Sequence, residues 1–205
     1  MSGLVGILGD IWNDGRGIEV IFNNCGFTGN ITHTGDANAQ NHGGSFIGWK
    51  AVDNATVTMN NCYAAPKSAN SPRFSTFVRV YGSDNGQEYA NNCYFLSGVV
   101  DYVAKQGTEA SAEEFANGTV CYALNGDQSA IAWYQKIGED PYPVLEPTHG
   151  KVVKNEDGTY STVTGVDDVI ASKTSDGKIY NLSGQRVEKA VKGLYIIDGK
   201  KILVK

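Results

Sequence analysis

The chain has little proline, little methionine and no long apolar run. Only five of its 205 residues are proline and two are methionine, whereas 25 are glycine. This balance favours a β-rich chain with many tight turns over a helical or a disordered one. No stretch approaches the roughly 18 apolar residues that a membrane-spanning helix needs, so we expect no membrane span. The length suffices for one large or two modest domains with their own cores.

An excess of basic charge is also missing. The chain carries 17 Lys and Arg against 22 Asp and Glu, a net charge of −5. Residues 165–205 hold eight basic and five acidic residues, which leaves nine basic and 17 acidic residues elsewhere, a net charge of −8. Nucleic-acid binding needs a basic face that neutralises phosphates. We therefore expect no nucleic-acid partner, and we interpret the alternating Lys residues of the tail as an exposed strand face.

A signal peptide is missing from the start of the sequence. Met1 leads directly into the Gly-rich segment SGLVGILGD rather than into a basic and then apolar run. Such a run is what a secretory signal would contain. We interpret Met1 and Ser2 as an expression start on an excised fragment, so this start does not indicate where the parent protein is located.

What the sequence does contain is an internal repeat. The tripeptide Asn-Asn-Cys occurs at residues 23–25, 60–62 and 91–93, at intervals of 37 and 31 residues. The stretch FIGWKAVDNATVTMNNC (46–62) aligns without gaps with FVRVYGSDNGQEYANNC (77–93). Repeats of this period indicate structural units that stack on their neighbours and bury a shared core.

The repeated segments have the alternation of short β-strands. Ile18, Val20 and Phe22 alternate with polar residues, and Gly and Asn bound such runs. This pattern is typical of strands with one buried face. It predicts an all-β fold, with a right-handed β-solenoid in residues 1–108. The repeated cysteines would then form an inward row, the asparagines would hydrogen-bond from copy to copy, and the first coil would present an unpaired edge that invites end-to-end association.

Two segments of the repeat carry a family resemblance. GLVG (3–6) and ATVTMNNCYA (55–64) resemble the GLUG-type repeat of bacterial surface proteins. The consensus of that repeat is Gly-Gly-Leu-Val-Gly followed by Thr-Ile-x-Asn-Cys-Tyr. The resemblance covers about residues 3–100, and the third copy lacks the leading GLVG. It implies a secreted or cell-surface β-solenoid of adhesin-like type, and it brings no catalytic residues.

Residues 109–150 differ from the repeats and predict a short helical cap. Ser111 is a suitable N-cap for a helix with acidic residues in its first turn. Gly118 divides this helix from a second one, which carries Cys121 and ends at Asn125. The segment resembles those that close many Bacteroidetes surface-protein solenoids. That resemblance implies a cap over the exposed edge of the last coil.

Residues 151–205 predict a hairpin and a small C-terminal β domain. Asp157-Gly158 marks the hairpin turn. IYNLSGQRVEKAVKGLYIIDGKKILVK (179–205) closely resembles the C-terminal sorting domain of Bacteroidetes cargo proteins. In that family the tail is a small β-sandwich that directs export or anchoring. The resemblance therefore implies an export machinery as the partner of residues 165–205.

Metal and cofactor sites have little support in the sequence. Cys or His residues at the close spacing of a metal site, such as Cys-x-x-Cys, do not occur. We therefore expect no cofactor. The turn aspartates Asp10, Asp14, Asp36 and Asp53 leave a calcium site open, although their spacing matches no established calcium loop.

The four cysteines leave two alternatives open. An exported protein with an even number of cysteines can form disulfides. Cysteines at equivalent positions of a stack pack instead as buried free thiols, which is what we expect. A nucleophilic role for Cys25 or Cys62 would need a base such as His33 or His42 and an electropositive setting. Three copies of one residue at one repeat position argue for packing.

Catalysis is the second of two functional alternatives. β-Helical folds also carry polysaccharide lyases, which need a basic residue beside a cation, and hydrolases, which need paired carboxylates. The set that could share one face is Arg73, Arg79, Asp84, Glu88 and Asp101. Asp84 lies in SDNG, where turn chemistry alone explains an aspartate. Under this alternative the chain is the C-terminal part of a β-helical polysaccharide-degrading enzyme.

The preferred alternative is a non-catalytic exported surface protein that contacts glycans or other surfaces. Aromatic rings pack on the faces of sugar rings. The candidate ligand-binding residues are Trp12, Trp49, Trp133 and Tyr134, which lie near turns or in the cap. Trp49 and Trp133 have a competing interpretation as core or cap-packing residues. Trp12, in GDIWNDGRG, is the strongest candidate for an exposed ring.

Overall fold

The protein is mainly β, and most of its strands lie in small parallel sheets, as seen in a computed structural model. The residues that the structure describes are 2–8, 17–32, 42–50, 55–69, 73–80, 89–126, 128–163, 178–197 and 200–204. The chain divides into two compact units, Met1–Thr164 and Gly165–Lys205. Among the described residues, none of the helices has the length and apolar character needed to cross a bilayer.

The strands of the first unit are short, because turns interrupt them every few residues. They are β1 (Val5–Leu8), β2 (Ile18–Asn23), β3 (Gly26–Phe27), β4 (Asn30–Ile31), β5 (His42–Gly44), β6 (Ile47–Lys50), β7 (Ala55–Asn60), β8 (Tyr63–Ala64), β9 (Ser68–Ala69), β10 (Arg73–Ser75), β11 (Val78–Val80), β12 (Ala90–Asn91), β13 (Tyr94–Leu96), β14 (Thr108–Ala110), β15 (Lys151–Lys154) and β16 (Tyr160–Val163). The helices are α1 (Ala112–Ala116), α2 (Thr119–Asn125) and a 3-10 helix (Pro147–His149).

Strands from successive copies pair in parallel and in register. β2 pairs with β7 over six residues, ending with Asn23 opposite Asn60, and β12 lies on the other side of β7 with Asn91 opposite Asn60. The orders β1-β6-β11 and β3-β8-β13-β14 repeat this arrangement in two further sheets, and β5-β10 and β4-β9 form parallel pairs. Each copy recognised in the sequence therefore lies beside the next copy.

Alternating residues of these strands form a common core. In β7, Ala55, Val57 and Met59 are buried while the residues between them are more exposed. The rings of Phe22, Phe46 and Phe77 pack in succession, with centroid distances of 5.2 and 5.1 Å. Burial of each large apolar side chain stabilises the fold by about 1.5–3 kcal/mol. The strand alternation predicted from the sequence is confirmed.

The Asn-Asn-Cys tripeptides form the same turn three times. The second asparagines, Asn24, Asn61 and Asn92, have left-handed φ values of 53°, 55° and 49°. Asparagine adopts this conformation more readily than other residues with a Cβ atom. An asparagine at this position therefore turns the chain from one sheet into the next.

Side-chain amides link these turns from copy to copy, and we call this row the amide ladder. Asn60 Nδ2 donates to Asn23 Oδ1 at 2.8 Å, and Asn91 Nδ2 donates to Asn60 Oδ1 at 3.2 Å. Asn92 Nδ2 donates to Asn61 Oδ1 at 2.8 Å. The hydrogen bonding predicted between copies is confirmed.

The repeated cysteines form the predicted row of free thiols. Cys62 and Cys93 are buried and Cys25 is half-buried, and all four cysteines of the chain are free. Cys62 Sγ donates to the Asn60 carbonyl at 3.2 Å, and Cys93 Sγ donates to the Asn91 carbonyl at 3.3 Å. The thiols therefore pack as small apolar groups, and each S–H also donates a weak hydrogen bond to a backbone carbonyl of its own turn.

The side-chain amide of Gln106 forms the backbone hydrogen bonds that a further copy of the repeat would otherwise supply to residues 77 and 78. Between copies, the Phe77 carbonyl accepts the N–H groups of Phe46 and Ile47. At the last copy, Gln106 Oε1 accepts the N–H groups of Phe77 and Val78 at 3.0 and 2.7 Å, and Nε2 donates to the Val78 carbonyl at 2.7 Å. Buried backbone groups need partners, so a buried amide side chain can replace a missing strand.

The cap begins with Ser111 as the N-cap of α1, as the sequence predicts, and this residue forms a capping box with Glu114. Ser111 Oγ accepts the N–H of Glu114 at 3.2 Å, and the Glu114 carboxylate accepts the N–H of Ser111 at 2.7 Å. Gly118, with a φ of 90°, separates α1 from α2. Cys121 is buried on α2, and that helix ends at Asn125. The predicted pair of short helices is confirmed.

Aromatic contacts attach the cap to the second copy of the repeat. Trp133 is 2% exposed, and its Nε1 donates to the Asn61 carbonyl at 3.0 Å. Its ring meets Tyr63 at 5.2 Å, and Tyr63 also packs against Phe115 at 5.7 Å. These rings form the centre of a second core, distinct from that of the repeats.

The hairpin β15–β16 belongs to the first unit, which corrects the expected domain boundary at residue 151. Gly158, with a φ of 87°, forms the predicted turn. Val152 is buried in the cap core, and Thr162 Oγ1 accepts the N–H of Ile137 at 2.9 Å. Because one face of the hairpin packs on the cap, the division falls after Thr164.

The second unit contains one antiparallel sheet. Its strands are β17 (Ile179–Asn181), β18 (Arg186–Val187), β19 (Gly193–Ile197) and β20 (Lys200–Val204), in the order β18-β17-β19-β20. A small β-sandwich was expected here. The described residues instead form a single layer, because β17 and β19 join the two hairpins edge to edge. The predicted turn at 198–199 lies outside the described residues.

Candidate functional site

Three of the five candidate catalytic residues can be located, and none of the three forms an ion pair with another described residue. Arg79 is half-buried on β11, and Arg73 is exposed at the start of β10. Burial, and then the charge of Arg73, lower the pKa of Arg79. Asp101 is exposed after β13. Asp84 and Glu88 lie in residues 81–88, outside the described residues.

The candidate sugar-stacking residues are dispersed. The prediction that Trp133 binds a ligand is wrong, because its buried ring packs in the cap core and offers no face to a ligand. Trp49 is half-buried on β6. Tyr134 is half-buried, and its hydroxyl donates to the Ile131 carbonyl at 3.2 Å. Trp12 lies outside the described residues.

The calcium candidates Asp10, Asp14, Asp36 and Asp53 all lie outside the described residues. Within the parts of the chain that the structure describes, no group of three or more His, Cys, Asp or Glu side chains is placed to hold a metal ion.

Two of the three histidines lie within the described residues. His42 lies in β5, opposite Arg73 of β10. His149 ends a 3-10 helix, and its Nδ1 lies 2.7 Å from Asp140 Oδ2. His33 lies outside the described residues. The contact between His149 and Asp140 forms only when the cap folds, so no local pattern in the sequence indicates it.

Three of the four thiols are poorly suited to nucleophilic chemistry, whereas a hydrogen bond with Cys62 lowers the pKa of the buried thiol of Cys93. Burial raises the pKa of Cys121 to about 12, and burial also raises the pKa of Cys25. A hydrogen bond shared with Cys93, together with burial, raises the pKa of Cys62. With these raised pKa values, the thiols of Cys25, Cys62 and Cys121 stay protonated at neutral pH. They are therefore poor nucleophiles, because the thiolate is the reactive form. This supports the packing role.

A groove with both polar and apolar lining opens where the amide ladder meets the end of α2, and we call it the cap groove. Its first part has a volume of about 420 Å³ and is lined by Asn61, Asn92, Gly126 and Gln128. Its second part, of about 360 Å³, shares Gly126 and Gln128 and is also lined by Tyr122, Asn125, Ile131, Lys151 and Val152. The groove thus combines amides, an aromatic ring and one cation.

Asparagine side chains hold the two walls of the cap groove together. Asn92 Nδ2, besides its bond within the ladder, donates to the Ala123 carbonyl at 2.9 Å and so ties the ladder to α2. Asn125 Nδ2 donates to the Trp133 carbonyl at 2.8 Å, and Asn125 Oδ1 accepts the Trp133 N–H at 3.0 Å. These bonds fix the loop that carries Gln128.

Two amides in the groove keep hydrogen-bonding capacity. Gln128 Nε2 donates to the Leu124 carbonyl at 2.9 Å, and Asn61 Oδ1 accepts from Asn92. No described residue bonds to Gln128 Oε1 or to Asn61 Nδ2. One acceptor and two donor hydrogens therefore remain available to a polar ligand.

Tyr122 supplies an exposed aromatic ring at the groove. Its side chain is 43% exposed, and its ring lies 5.4 Å from that of Tyr160. Val120, Cys121 and Leu124 of α2 face the core, which leaves Tyr122 on the outer face. A ring with neighbouring amide groups can contact both the C–H face and the hydroxyls of a sugar.

Comparison with family models, with curated proteins and with solved structures returned no match for this chain.

The sequence reasoning missed Tyr122 and Gln128 as candidate ligand-binding residues. The helical spacing of Val120, Cys121 and Leu124 is the signal that could have identified Tyr122 as outward-facing. No comparable signal exists for Gln128, since its position depends on contacts made by Asn125 across the chain.

Proposed function

We propose that the protein is a non-catalytic, exported surface protein of adhesin-like type that binds glycans through the cap groove. The observation that carries this proposal is the exposed ring of Tyr122 in the same part of the groove as the amides of Asn125 and Gln128, with Gln128 also lining the part that contains Asn61 and Asn92. A sugar presents apolar C–H faces and a rim of hydroxyls, and this combination of groups complements both. The ligand class is therefore a glycan.

The finer architecture that we propose for the first unit is a right-handed β-solenoid. Its support is the parallel, in-register pairing of successive copies and the threefold recurrence of the Asn-Asn-Cys turn. Repeat architectures of this kind display extended surfaces for binding. The cap groove would lie at the capped end of such a solenoid.

The role that we propose for the second unit is export or anchoring, with location outside the cell or on its surface. Support comes from its resemblance to sorting domains and from its compactness as a separate unit, Gly165–Lys205. Deletion of 165–205 should leave the melting transition of the first unit intact and retain the protein inside the native host. Unfolding of the remaining chain would contradict this assignment.

Glycan-array binding of the full chain tests the groove. We expect binding that falls about tenfold or more, or roughly 1.4 kcal/mol, in Tyr122→Ala and in Gln128→Leu. Leu145→Ala is the matched control, because Leu145 is an exposed apolar residue of the same unit that does not line the groove. Bound glycans should be recovered uncleaved. Equal binding by all variants, or release of cleaved products, would reject the proposal.

A further inference from the structure

Arg79 lies beside a tryptophan on a neighbouring strand of the first unit, and a second arginine begins the preceding strand, β10. In β11, Val78 and Val80 are buried, whereas Arg79 between them is only half-buried. The neighbouring strand β6 places Ile47 opposite Val78 and Lys50 opposite Val80, so Arg79 lies beside the Gly48–Trp49 step. Trp49 is the half-buried residue of that strand. Arg73 begins β10, a strand that contacts β11, and its charge acts on Arg79.

These arginines are not neutralised by any described acidic residue. Arg79 Nη1 donates to the Val80 carbonyl at 2.6 Å, and its Nε is buried without a hydrogen-bond acceptor. The ion pairs of the described residues involve neither Arg79 nor Arg73. A buried donor without an acceptor destabilises a fold by about 1–3 kcal/mol, and two adjacent like charges add to this.

A bound anion would compensate the positive charge of the two arginines. It would offer an acceptor to the guanidinium and would offset the repulsion between the two cations. The planar fork of arginine matches the two oxygens of a carboxylate or sulfate. The chain outside 165–205 has a net charge of −8, which disfavours a densely charged polymer. An isolated anionic group on an otherwise neutral chain fits this setting better.

We propose that Arg73 and Arg79, with Trp49 beside them, form an anion subsite that binds the carboxylate or sulfate group of an acidic sugar. This inference rests on the proposed function in one respect, namely that the anion is part of a glycan. The subsite shares no residue with the cap groove. It therefore gives the protein a second contact with its ligand and a preference for acidic over neutral glycans.

Matched oligosaccharides test the preference. The probes are a xylo-oligosaccharide with one glucuronic acid substituent, the same oligosaccharide with one sulfate, and the unsubstituted oligosaccharide, each titrated into the full chain by calorimetry. We expect one of the acidic probes to bind about tenfold tighter than the neutral probe. Which acidic probe binds tighter identifies the anion. The preference should weaken as salt is added.

Charge-removing variants locate the effect. Arg79→Gln and Arg73→Gln should each abolish the preference and leave the affinity for the neutral probe unchanged. Arg186→Gln is the matched control, since it removes the same charge from the second unit and should keep the preference. Because Arg73 is exposed, Arg73→Gln should fold normally, and it tests the inference if Arg79→Gln fails to fold.

Three outcomes would overturn the inference: equal affinity for acidic and neutral probes, an unchanged preference in Arg73→Gln, or an equal loss in Arg186→Gln. Failure of the glycan proposal has a different signature. In that case no oligosaccharide binds, while inorganic sulfate still shifts the NMR signal of the Arg79 Nε–H, and the anion subsite stands without a sugar. Absence of this shift together with absence of binding rejects both.

Discussion

The two cores of the first unit are built in different ways. In the repeat core, equivalent residues such as Cys62 and Cys93 make the same contact in successive copies. In the cap core, each contact occurs once, as where Trp133 reaches Tyr63 and the Asn61 carbonyl. A substitution in one repeat therefore leaves equivalent interactions in the other copies. A substitution in the cap removes an interaction that nothing else in the cap duplicates.

The difference extends to polar groups. The repeats keep their amide ladder at exposed corners, where water competes for each hydrogen bond. The cap buries Gln135 completely, and this side chain donates to the Phe115 carbonyl at 2.7 Å and to the Asp140 carbonyl at 3.0 Å. Stability in the cap is therefore concentrated in a few residues, whereas in the repeats it is spread over many.

The largest expected effect is that of Trp133→Ala. The change removes a buried ring and the donor to the Asn61 carbonyl, and it leaves a cavity against Tyr63. We expect the free energy of unfolding to fall by about 3–5 kcal/mol, measured by urea denaturation. Tyr134→Ala, at a half-buried neighbour, is the control and should lose much less. Similar losses in both variants would argue against a cap core centred on Trp133.

The next effect is that of Gln135→Leu. Leucine has a similar size but cannot donate to the carbonyl groups of Phe115 and Asp140. Leaving these groups without their donor should lower the free energy of unfolding by about 1–3 kcal/mol. The matched control is Gln128→Leu, because Gln128 is only half-buried and should change stability little. A stabilising Gln135→Leu would indicate that burial of the amide outweighs its hydrogen bonds.

The same contrast explains what could be predicted from the sequence. The hydrogen bonds between asparagines of successive copies, the row containing Cys62 and the N-cap at Ser111 follow from local spacing or from repetition, and the structure contains all three. The roles of Gln106 and Gln135 could not be predicted, because nothing in the local pattern distinguishes a glutamine that completes a buried backbone from one in water.

The candidate site was harder to predict than the fold for a related reason. Aromatic residues were chosen by type and by proximity to turns, and Trp133 proved to be buried. The cap groove depends instead on which residues of distant segments meet, such as Asn61 and Gln128. Such a meeting is set by the packing of the cap on the second copy. No periodic pattern in the sequence indicates which distant residues meet at the groove.

A smaller effect is expected in the amide ladder, where the middle position can be compared with its two neighbours. Asn60→Ala breaks the bonds to both Asn23 and Asn91, whereas Asn23→Ala and Asn91→Ala break one each. At about 0.5 kcal/mol for an exposed hydrogen bond, the losses should be about 1 kcal/mol for Asn60→Ala and half that for the others. Equal losses in urea denaturation for all three variants would show that the ladder bonds do not contribute independently.

The smallest effect is the response to acid, which also separates cap from repeats. Burial opposes ionisation of Asp140, but hydrogen bonds from His149 and from the Lys136 N–H outweigh it and lower the pKa of Asp140 below its ordinary value of 3.8. Hydrogen bonds from Ser111 likewise lower the pKa of Glu114. A carboxylate with a lowered pKa stabilises the fold above its ordinary pKa, and this contribution is lost as the pH falls through the lowered value.

Acid should therefore loosen the cap before it loosens the repeats. Hydrogen exchange measured below pH about 4 should rise first at the amides of α1 and of the 136–140 turn, and later at those of β7. Asp140→Asn tests the cause, because a neutral amide cannot titrate. The variant should begin with weaker protection in the cap at neutral pH and lose less of it on acidification. If the amides of β7 exchange as early as those of α1, the two cores unfold as one unit. The cores would then differ in how they are built but not in their response to acid.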